Sequence, residues 1–113
     1  MLHCMNLQPE PFRKIKAGEK TIELRLNDPK RQKIQAGDQI EFLNLGDGLQ
    51  KIRVQVIAVH RFASFAELYQ ALPLLSCGYK PGDKPDPKDM DSYYSREEQQ
   101  KYGAVGIEMA LMD

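Results

Sequence analysis

Residues 11–25 carry the most informative pattern in the chain, and they read PFRKIKAGEKTIELR. Prolines at its start favour the first turn of a helix. Phe12 and Ile15 then recur at helical spacing, and Gly18 is a typical residue at the end of a helix. The pattern therefore predicts a short helix over residues 9–17. It places three basic residues on the outward face of that helix: Arg13, Lys14 and Lys16.

The second half of the same segment alternates as a β-strand does. Over residues 20–26 the apolar side chains fall on one face: Ile22, Leu24 and Leu26. The opposite face is polar: Thr21, Glu23 and Arg25. Lys20 lies at the entry to the predicted strand, beside the end of the predicted helix. A compact set of charged residues is therefore expected where helix and strand meet.

Four more strands and two more helices are predicted outside this segment. Apolar alternation indicates strands over residues 2–6, 39–45, 50–60 and 104–111. One helix is expected from a capping box at Ser64 and Glu67 to about Pro73, and another across Tyr93–Tyr102, opened by Asp91 or Ser92. Turns are expected at residues 27–29, 36–38 and 46–48, and a surface loop at residues 76–88.

The predicted order of elements is β-α-β-β-β-α-α-β, which is typical of an α+β domain with a mostly antiparallel sheet. Closing such a sheet into a barrel would remove its exposed edges. The chain has 113 residues and no repeat or linker composition. We therefore expect a single domain over residues 1–113.

Composition excludes several classes of protein. The chain is 42% hydrophobic and 28% charged, which is ordinary for a globular domain. No apolar run approaches the ~18 residues that a membrane helix needs. Residues 1–8 are too short and polar for a signal peptide, so a cytoplasmic location is expected. Cys4 and Cys77 are then expected to remain thiols, and with His3 and His60 they show no zinc-binding spacing. No metal or cofactor is expected.

The formal net charge is zero, but the charges are unevenly distributed. Residues 13–33 carry eight bases against three acids, and residues 83–113 carry eight acids against four bases. A neutral protein with a basic third can present a local face that attracts anions. An ordinary solvated polar face gives the same count, and charge alone leaves both interpretations open.

The residue types at positions 20–25 suit a nucleotide. Lys20 and Arg25 supply positive charge and donors for phosphate or a base carbonyl. Glu23 supplies an acceptor for exocyclic amines, and Thr21 offers a short hydroxyl. The alternative is a ladder of charged side chains that faces solvent and stabilises the sheet by cross-strand pairs.

The segment from Pro11 to Arg25 resembles the opening motif of ASCH domains, in which a helix ends at glycine and a Lys-Thr-x-Glu-x-Arg strand follows. Residues 34–42 (IQAGDQIEF) and 102–108 (YGAVGIE) resemble two further parts of that family. The resemblance implies a PUA-like, mixed but mostly antiparallel β-barrel with flanking helices. It also implies a cleft, lined here by the strand Lys20–Arg25, that binds RNA or a modified nucleoside or nucleotide.

A hydrolase is the alternative that the resemblance leaves open. One group of ASCH proteins resembles amidohydrolases of N4-acylated cytidines, with a catalytic Lys, Thr and downstream Glu. Lys20 matches the Lys, but Glu23 occupies the position of that Thr, and residues 71–79 offer no convincing downstream Glu. Thr21 activated by Lys20 is a further possible nucleophile. A ribonuclease that uses Lys20, Glu23 and His60 is a second version of the same alternative.

Aromatic residues near the C-terminus are also candidates. Tyr93, Tyr94 and Tyr102 could stack on bases, although helical spacing favours core packing for them. Tyr94 is therefore added to the candidate ligand-binding residues, which otherwise lie in the first quarter of the chain: Lys14, Lys16, Lys20, Thr21, Glu23 and Arg25. A domain without any ligand, and a lid or a plain loop at residues 80–88, remain open. The sequence leaves the oligomeric state open as well.

Overall fold

The computed structural model describes residues 1–112, and Asp113, the last acid in the C-terminal count, lies outside the described residues. Within that range five strands form a sheet: β1 (Leu2–Leu7), β2 (Ile22–Leu26), β3 (Gln39–Asn44), β4 (Lys51–Phe62) and β5 (Ala104–Leu111). The spatial order is β1-β3-β4-β5-β2. β1 runs parallel to β3, and the other three pairs are antiparallel. The sheet curls into a half-barrel, which confirms the PUA-like α+β prediction.

Helices occupy the connections between strands. They are α1 (Pro9–Lys16), α2 (Pro29–Gln32), α3 (Phe65–Ala71), a 3₁₀ helix (Pro87–Ser92) and α4 (Arg96–Tyr102). The helix predicted over residues 9–17 is confirmed as α1, which buries Phe12 and Ile15 as its spacing predicts. Ser64 caps α3 by accepting the backbone N–H of Glu67 at 3.1 Å, which confirms the predicted N-cap. The reciprocal half of the predicted capping box does not form, because the Glu67 carboxylate accepts from the backbone N–H of Ala63 at 3.2 Å.

Two hydrophobic clusters lie on opposite faces of the sheet, and β5 contributes to both. Ile107 of β5 belongs to the cluster inside the curl, beside α1. Ala104 of the same strand belongs to an outer cluster with α3 and the 3₁₀ helix. At this outer face an added Cβ on Gly106 would lie only 2.5 Å from Leu72 Cδ1, so the Leu72 side chain would have to move. The first half of β5, residues 104–107, is therefore buried on both faces.

Several helices begin at other residues than the sequence predicts. The turn predicted at residues 27–29 also begins α2, because the Asp28 carboxylate accepts the Arg31 N–H at 3.0 Å and caps a short helix. The helix predicted across Tyr93–Tyr102 begins later, at Arg96 after the N-cap Ser95. The expected opening residues belong instead to the 3₁₀ helix, whose start falls inside the predicted loop.

Strand alternation is also interrupted. In β4 the side chains of Ile52, Val54 and Val56 share the face inside the curl, and a register shift between Val56 and Ala58 then interrupts the predicted alternation. A β-bulge of this kind increases strand bending and twist. Beyond the bulge Val59, and not Ala58, packs against the cluster inside the curl. β2 begins at Ile22, so Lys20 and Thr21 precede the strand that was predicted to contain them.

Side chains bridge the seam between the two edge strands, β1 and β2. Arg25 on β2 donates from Nη2 to the carbonyl of Asn6 on β1 at 2.7 Å. Lys30 of α2 donates from Nζ to the carbonyl of Cys4 at 2.9 Å. The curled sheet is therefore held together across its open side by two long basic side chains.

Asp38 fastens the turn that leads into β3. His3 donates from Nε2 to Asp38 Oδ2 at 2.8 Å, and the Gln35 backbone N–H donates to the same oxygen at 3.0 Å. The hydrogen bond from His3 is the largest influence on this carboxyl, and these contacts together lower the pKa of Asp38 to about 2 against the opposing effect of desolvation. The carboxylate is therefore stabilised in its ionised form in the folded protein.

Asp38→Asn should lower the free energy of unfolding by about 1–2 kcal/mol at pH 7, because it removes a charge-assisted acceptor. A lowered folded pKa contributes stability above the unfolded value of about 3.9 and loses it as the pH falls towards the folded value. The difference in the free energy of unfolding between wild type and variant should therefore disappear between pH 4 and about pH 2. Urea unfolding across this range tests it, with Asp47→Asn in the exposed hairpin as the control. A gap that is unchanged at low pH would contradict this account of Asp38.

Candidate functional site

A cleft of about 490 Å³ opens at the seam between the edge strands. One side is formed by the end of β1 and the start of α1, and the floor by β2. The other side is formed by residues 77–79 and by the region of the 3₁₀ helix. Five of the candidate ligand-binding residues line this one cleft: Lys14, Lys20, Glu23, Arg25 and Tyr94.

Glu23 is the centre of the floor. Its side chain is 4% exposed, and its carboxylate binds Lys20 Nζ at 2.9 Å through Oε1. Its other oxygen, Oε2, accepts from Arg25 Nε at 2.8 Å. Burial opposes ionisation of Glu23, but the charges and hydrogen bonds of Lys20 and Arg25 outweigh it, so that the pKa of Glu23 is lowered. The pattern of residues 20–25 therefore forms a buried ion triad, and not a charged ladder that faces solvent.

The segment after α3 holds Lys20 in this position. The carbonyl of Ser76 accepts the backbone N–H groups of Thr21 and Ile22 at 2.9 and 3.0 Å. Gly78, at φ +110°, then passes over the Lys20 side chain, so that an added Cβ would lie 3.3 Å from Lys20 Cδ. A larger residue would be strained at this φ and would crowd the lysine. The loop predicted at residues 76–88 thus begins as one wall of the site.

Lys14 and Lys16 differ in their relation to the cleft although both lie on α1. Lys14 Nζ donates to the carbonyl of Gly78 at 2.7 Å, and within residues 1–112 it forms no salt bridge to a carboxylate. Lys16 is exposed and lines neither of the two main cavities. The two lysines are two positions apart, which corresponds to about 200° around a helix, so they lie on nearly opposite faces of α1. Lys14 therefore contributes a positive charge to the cleft without a direct ion pair, and Glu10, one turn earlier on α1, lines the same cleft.

Tyrosines form the wall opposite α1. The Tyr79 hydroxyl donates to Asp89 Oδ2 at 2.7 Å, so it accepts from the Tyr69 hydroxyl, which is also 2.7 Å away. Burial is the largest of the effects that raise the pKa of both Tyr69 and Tyr79, so both phenols remain neutral at neutral pH. None of these three residues was predicted as part of the site, because only the folded chain brings α3, the loop and the 3₁₀ helix together.

Tyr93 and Tyr94 lie at the mouth of the same wall. The Tyr94 ring stacks on Phe65 with centroids 6.1 Å apart and an interplanar angle of 6°. Tyr93 is 69% exposed, and its ring centroid lies 6.4 Å from that of Tyr94. Both tyrosines precede α4, so they do not lie on the predicted helix. The predicted core packing is confirmed for Tyr94 and Tyr102, which pack against the outer cluster, and is wrong for Tyr93. One ring is fixed by the core, and its neighbour is left free to contact a ligand.

Cys77 also lines the cleft but is a weak nucleophile. Its side chain is buried, and its Sγ lies 3.6 Å from the carbonyl of Pro73. Burial raises the pKa of the Cys77 thiol to about 11, with the charge of Lys20 acting in the opposite direction. The thiol is therefore neutral at physiological pH. Both cysteines are free, as the sequence predicts.

Thr21 and His60 lie in a second depression, of about 440 Å³, away from the ion triad. His60 Nε2 lies 3.0 Å from Glu108 Oε1 there. The structure therefore brings Lys20 and Glu23 together. It separates them from the Thr21 hydroxyl and the His60 imidazole, the predicted catalytic partners. In residues 1–112 no cluster of side chains could hold a metal ion. None of the helices in this range is long and apolar enough to cross a membrane.

The chain belongs to the ASCH family, since the ASCH domain model matches residues 5–113. The crystal structure of the hypothetical protein PH0355 is similar to it, with 35% identity, a TM-score of 0.84 and coverage of 99% of this chain and 100% of the other. The solution structure of PF0455 from Pyrococcus furiosus shows 33% identity and a TM-score of 0.74, covering 100% and 99% of the two chains.

More distant similarity supports the fold alone. A mutant of the ASCH protein from Zymomonas mobilis shares 16% identity with this chain at a TM-score of 0.62, over 99% of this chain and 68% of the other. No curated protein is significantly similar to the chain.

Lys20→Met should destabilise the protein by about 3 kcal/mol at pH 7, because it leaves a buried carboxylate with one cation. The lowered pKa of Glu23 means that its ion pairs stabilise the fold above the unfolded value of about 4.3 and lose this effect as the pH falls through the folded value. The cost of the substitution should therefore shrink at acidic pH.

Urea unfolding at pH 7 and at a series of pH values from 4 downwards measures this cost. Lys16→Met is the matched control, since it changes the same residue type at an exposed position and should alter stability by less than about 0.5 kcal/mol. Equal stability of Lys20→Met and wild type at pH 7 would mean that the triad does not stabilise the fold.

Proposed function

We propose that the chain binds RNA or a nucleotide in the cleft at the seam, and that it acts as a binding module. The observation that carries this proposal is the buried triad of Lys20, Glu23 and Arg25 beneath a wall of tyrosines. Buried charges are costly, and sites that retain them are candidates for function. Cations on the floor and aromatic rings on the side are the two features that recognise phosphate and base.

Among the described residues, three cations and three carboxylates line the cleft, and the cations are gathered on the side formed by α1 and β2. On that side Glu10 is paired with Arg13, and Asp89 lies on the opposite wall. Lys20 and Arg25 share the single negative charge of Glu23, so this triad alone leaves one positive charge in excess. Lys14 adds a second positive charge that is held only by a carbonyl oxygen. A lysine ammonium suits phosphate as a compact point charge with several donors. We therefore assign the phosphate of the ligand to the Lys14 side of the cleft.

The aromatic wall favours a ligand with a flat ring. Tyr94 is held rigid by its stacking on Phe65, and exposed Tyr93 lies beside it. Stacking of a base on such a ring contributes about 1–3 kcal/mol and tolerates any base. The volume of about 490 Å³ falls within the range of about 300–1,000 Å³ that is usual for small-molecule sites. One nucleotide, free or within an RNA strand, is the ligand that we assign to it.

The hydrolase alternative has less support. It needs a nucleophile beside Lys20, and Thr21 lines the other depression, while the Cys77 thiol is neutral. Glu23 has both oxygens engaged by cations, which leaves it a poor general base. We therefore expect no turnover of N4-acetylcytidine or of short RNAs by the wild-type protein. Hydrolysis that is lost in Lys20→Ala would instead make this protein an enzyme.

Lys14→Ala should weaken binding of a short single-stranded RNA, because it removes one phosphate contact. The slope of log K against log salt should become less steep by about 0.7, the value for one contact with a single strand. Fluorescence anisotropy between 50 and 200 mM salt measures both effects.

Lys16→Ala is the control for this experiment, since it removes the same charge from the other face of α1. The Kd of this control should stay within twofold of wild type. Equal losses in both variants would show that α1 attracts RNA only through its general positive charge. Binding that does not depend on salt in the wild type would contradict the assignment of phosphate to Lys14.

A further inference from the structure

The backbone of β2 presents an unpaired position to the cleft. Two hydrogen bonds fix which residues of this strand face β5: Met109 N–H donates to the Thr21 carbonyl at 2.9 Å, and Asn27 N–H donates to the Gly103 carbonyl at 3.0 Å. Backbone groups alternate between the two sides of a strand, so every second residue from Thr21 to Asn27 faces β5. Leu24 therefore directs both its N–H and its C=O to the open edge.

The accessible part of this edge is centred on Leu24, because Ile22 and Leu26 on either side of it are only 4% and 2% exposed. On one side the Ser76 carbonyl already accepts the N–H of Ile22. On the other side the Arg25 side chain crosses the seam to the Asn6 carbonyl at 2.7 Å. Leu24 lies between these two closures and lines the cleft. Among the described residues, no hydrogen-bond partner is found for its N–H or its C=O.

We propose that the N–H and C=O of Leu24 read the Watson–Crick edge of an unpaired base held in the cleft, an inference that rests on the proposed nucleotide-binding function. Watson–Crick edges carry a donor and an acceptor side by side, as O4 and N3–H of uracil do. A backbone N–H and C=O of one strand residue form the complementary pair. The base then takes the place that a neighbouring strand would occupy at the sheet edge.

Glu23 does not read the base in this arrangement. Its carboxylate is buried and engaged through both oxygens by Lys20 and Arg25. The sequence suggests that this residue accepts from an exocyclic amine, but its contacts assign it to holding the two cations. Recognition of the edge of the base then falls to the backbone of the next residue along the strand.

An extended peptide fits this edge less well than a base does. Strand addition uses main-chain hydrogen bonds along several residues, and here the burial of Ile22 and Leu26 limits the accessible edge to Leu24. The cations on the α1 and β2 side of the cleft and the stacked Tyr94 ring also favour a nucleotide. Because the Watson–Crick edge is occupied by Leu24, a base within a duplex cannot bind. The ligand is therefore a free nucleotide or an unpaired residue of RNA.

Three uridine monophosphates test this inference by calorimetry: unmodified UMP, N3-methyl-UMP and 5-methyl-UMP. Methylation at N3 removes the donor and leaves the Leu24 carbonyl unsatisfied, so the Kd should rise at least about tenfold. Methylation at C5 lies outside the Watson–Crick edge and should change the Kd by less than about threefold, because an added methyl alone has a small effect.

Amide NMR of the unmodified protein gives an independent readout. In the free protein the Leu24 amide should exchange with solvent faster than those of Glu23 and Arg25, which pair with β5. UMP should slow this exchange and shift the Leu24 amide proton downfield, whereas N3-methyl-UMP should not. These two results together would support the inference.

Different results would overturn recognition of the base by Leu24 and nucleotide binding in the cleft. UMP and N3-methyl-UMP that bind equally would overturn recognition by Leu24 and leave nucleotide binding intact. Binding of UMP without any change at the Leu24 amide would do the same. No binding of any nucleotide or of single-stranded RNA would overturn the proposed function, and this inference with it.

Discussion

The buried carboxylate of Glu23 is the constraint on which the site depends. A carboxylate at 4% exposure stays ionised only where cations compensate it, and Lys20 and Arg25 do so from opposite sides. Lys20 is held in turn by the segment after α3. Arg25 also spans the seam to Asn6 and joins the two edge strands. One ion triad therefore links the α1–β2 junction, the cleft wall and the closure of the half-barrel.

The same geometry explains why a cleft exists at this point. A half-barrel leaves two strand edges, and proteins usually cover or pair such edges. Here side chains cover the seam except at Leu24, where the cleft lies between β2 and the tyrosine wall. Positive charge, a fixed aromatic ring and an unpaired backbone position thus meet in one place. Each of the three suits a different part of a nucleotide.

Much of the fold can be predicted from the sequence, because it depends on local patterns. Helical spacing at Phe12 and Ile15 predicts α1, and strand alternation predicts the sheet. The triad was only partly predictable: the spacing identifies its residues, but alternation suggests that Glu23 faces solvent. Strand curl turns that face inward, and only tertiary contacts reveal it. The local sequence gives no sign that Tyr79 and Asp89 belong to the site. Their roles depend on the hydrogen bond between Tyr79 and Tyr69 of α3 and on the hydrogen bond between Tyr79 and Asp89, residues that lie ten positions apart.

Titration of the Glu23 carboxyl by carbon-13 NMR in the ligand-free protein tests the central claim most directly. The account predicts a midpoint below the value of about 4.3 that is usual for glutamate, because Lys20 and Arg25 outweigh burial. The buried triad then exists in solution and can organise the cleft. A midpoint above that value would mean that desolvation dominates. Glu23 would then be protonated at mildly acidic pH, and the ion triad could not be the feature on which the site depends.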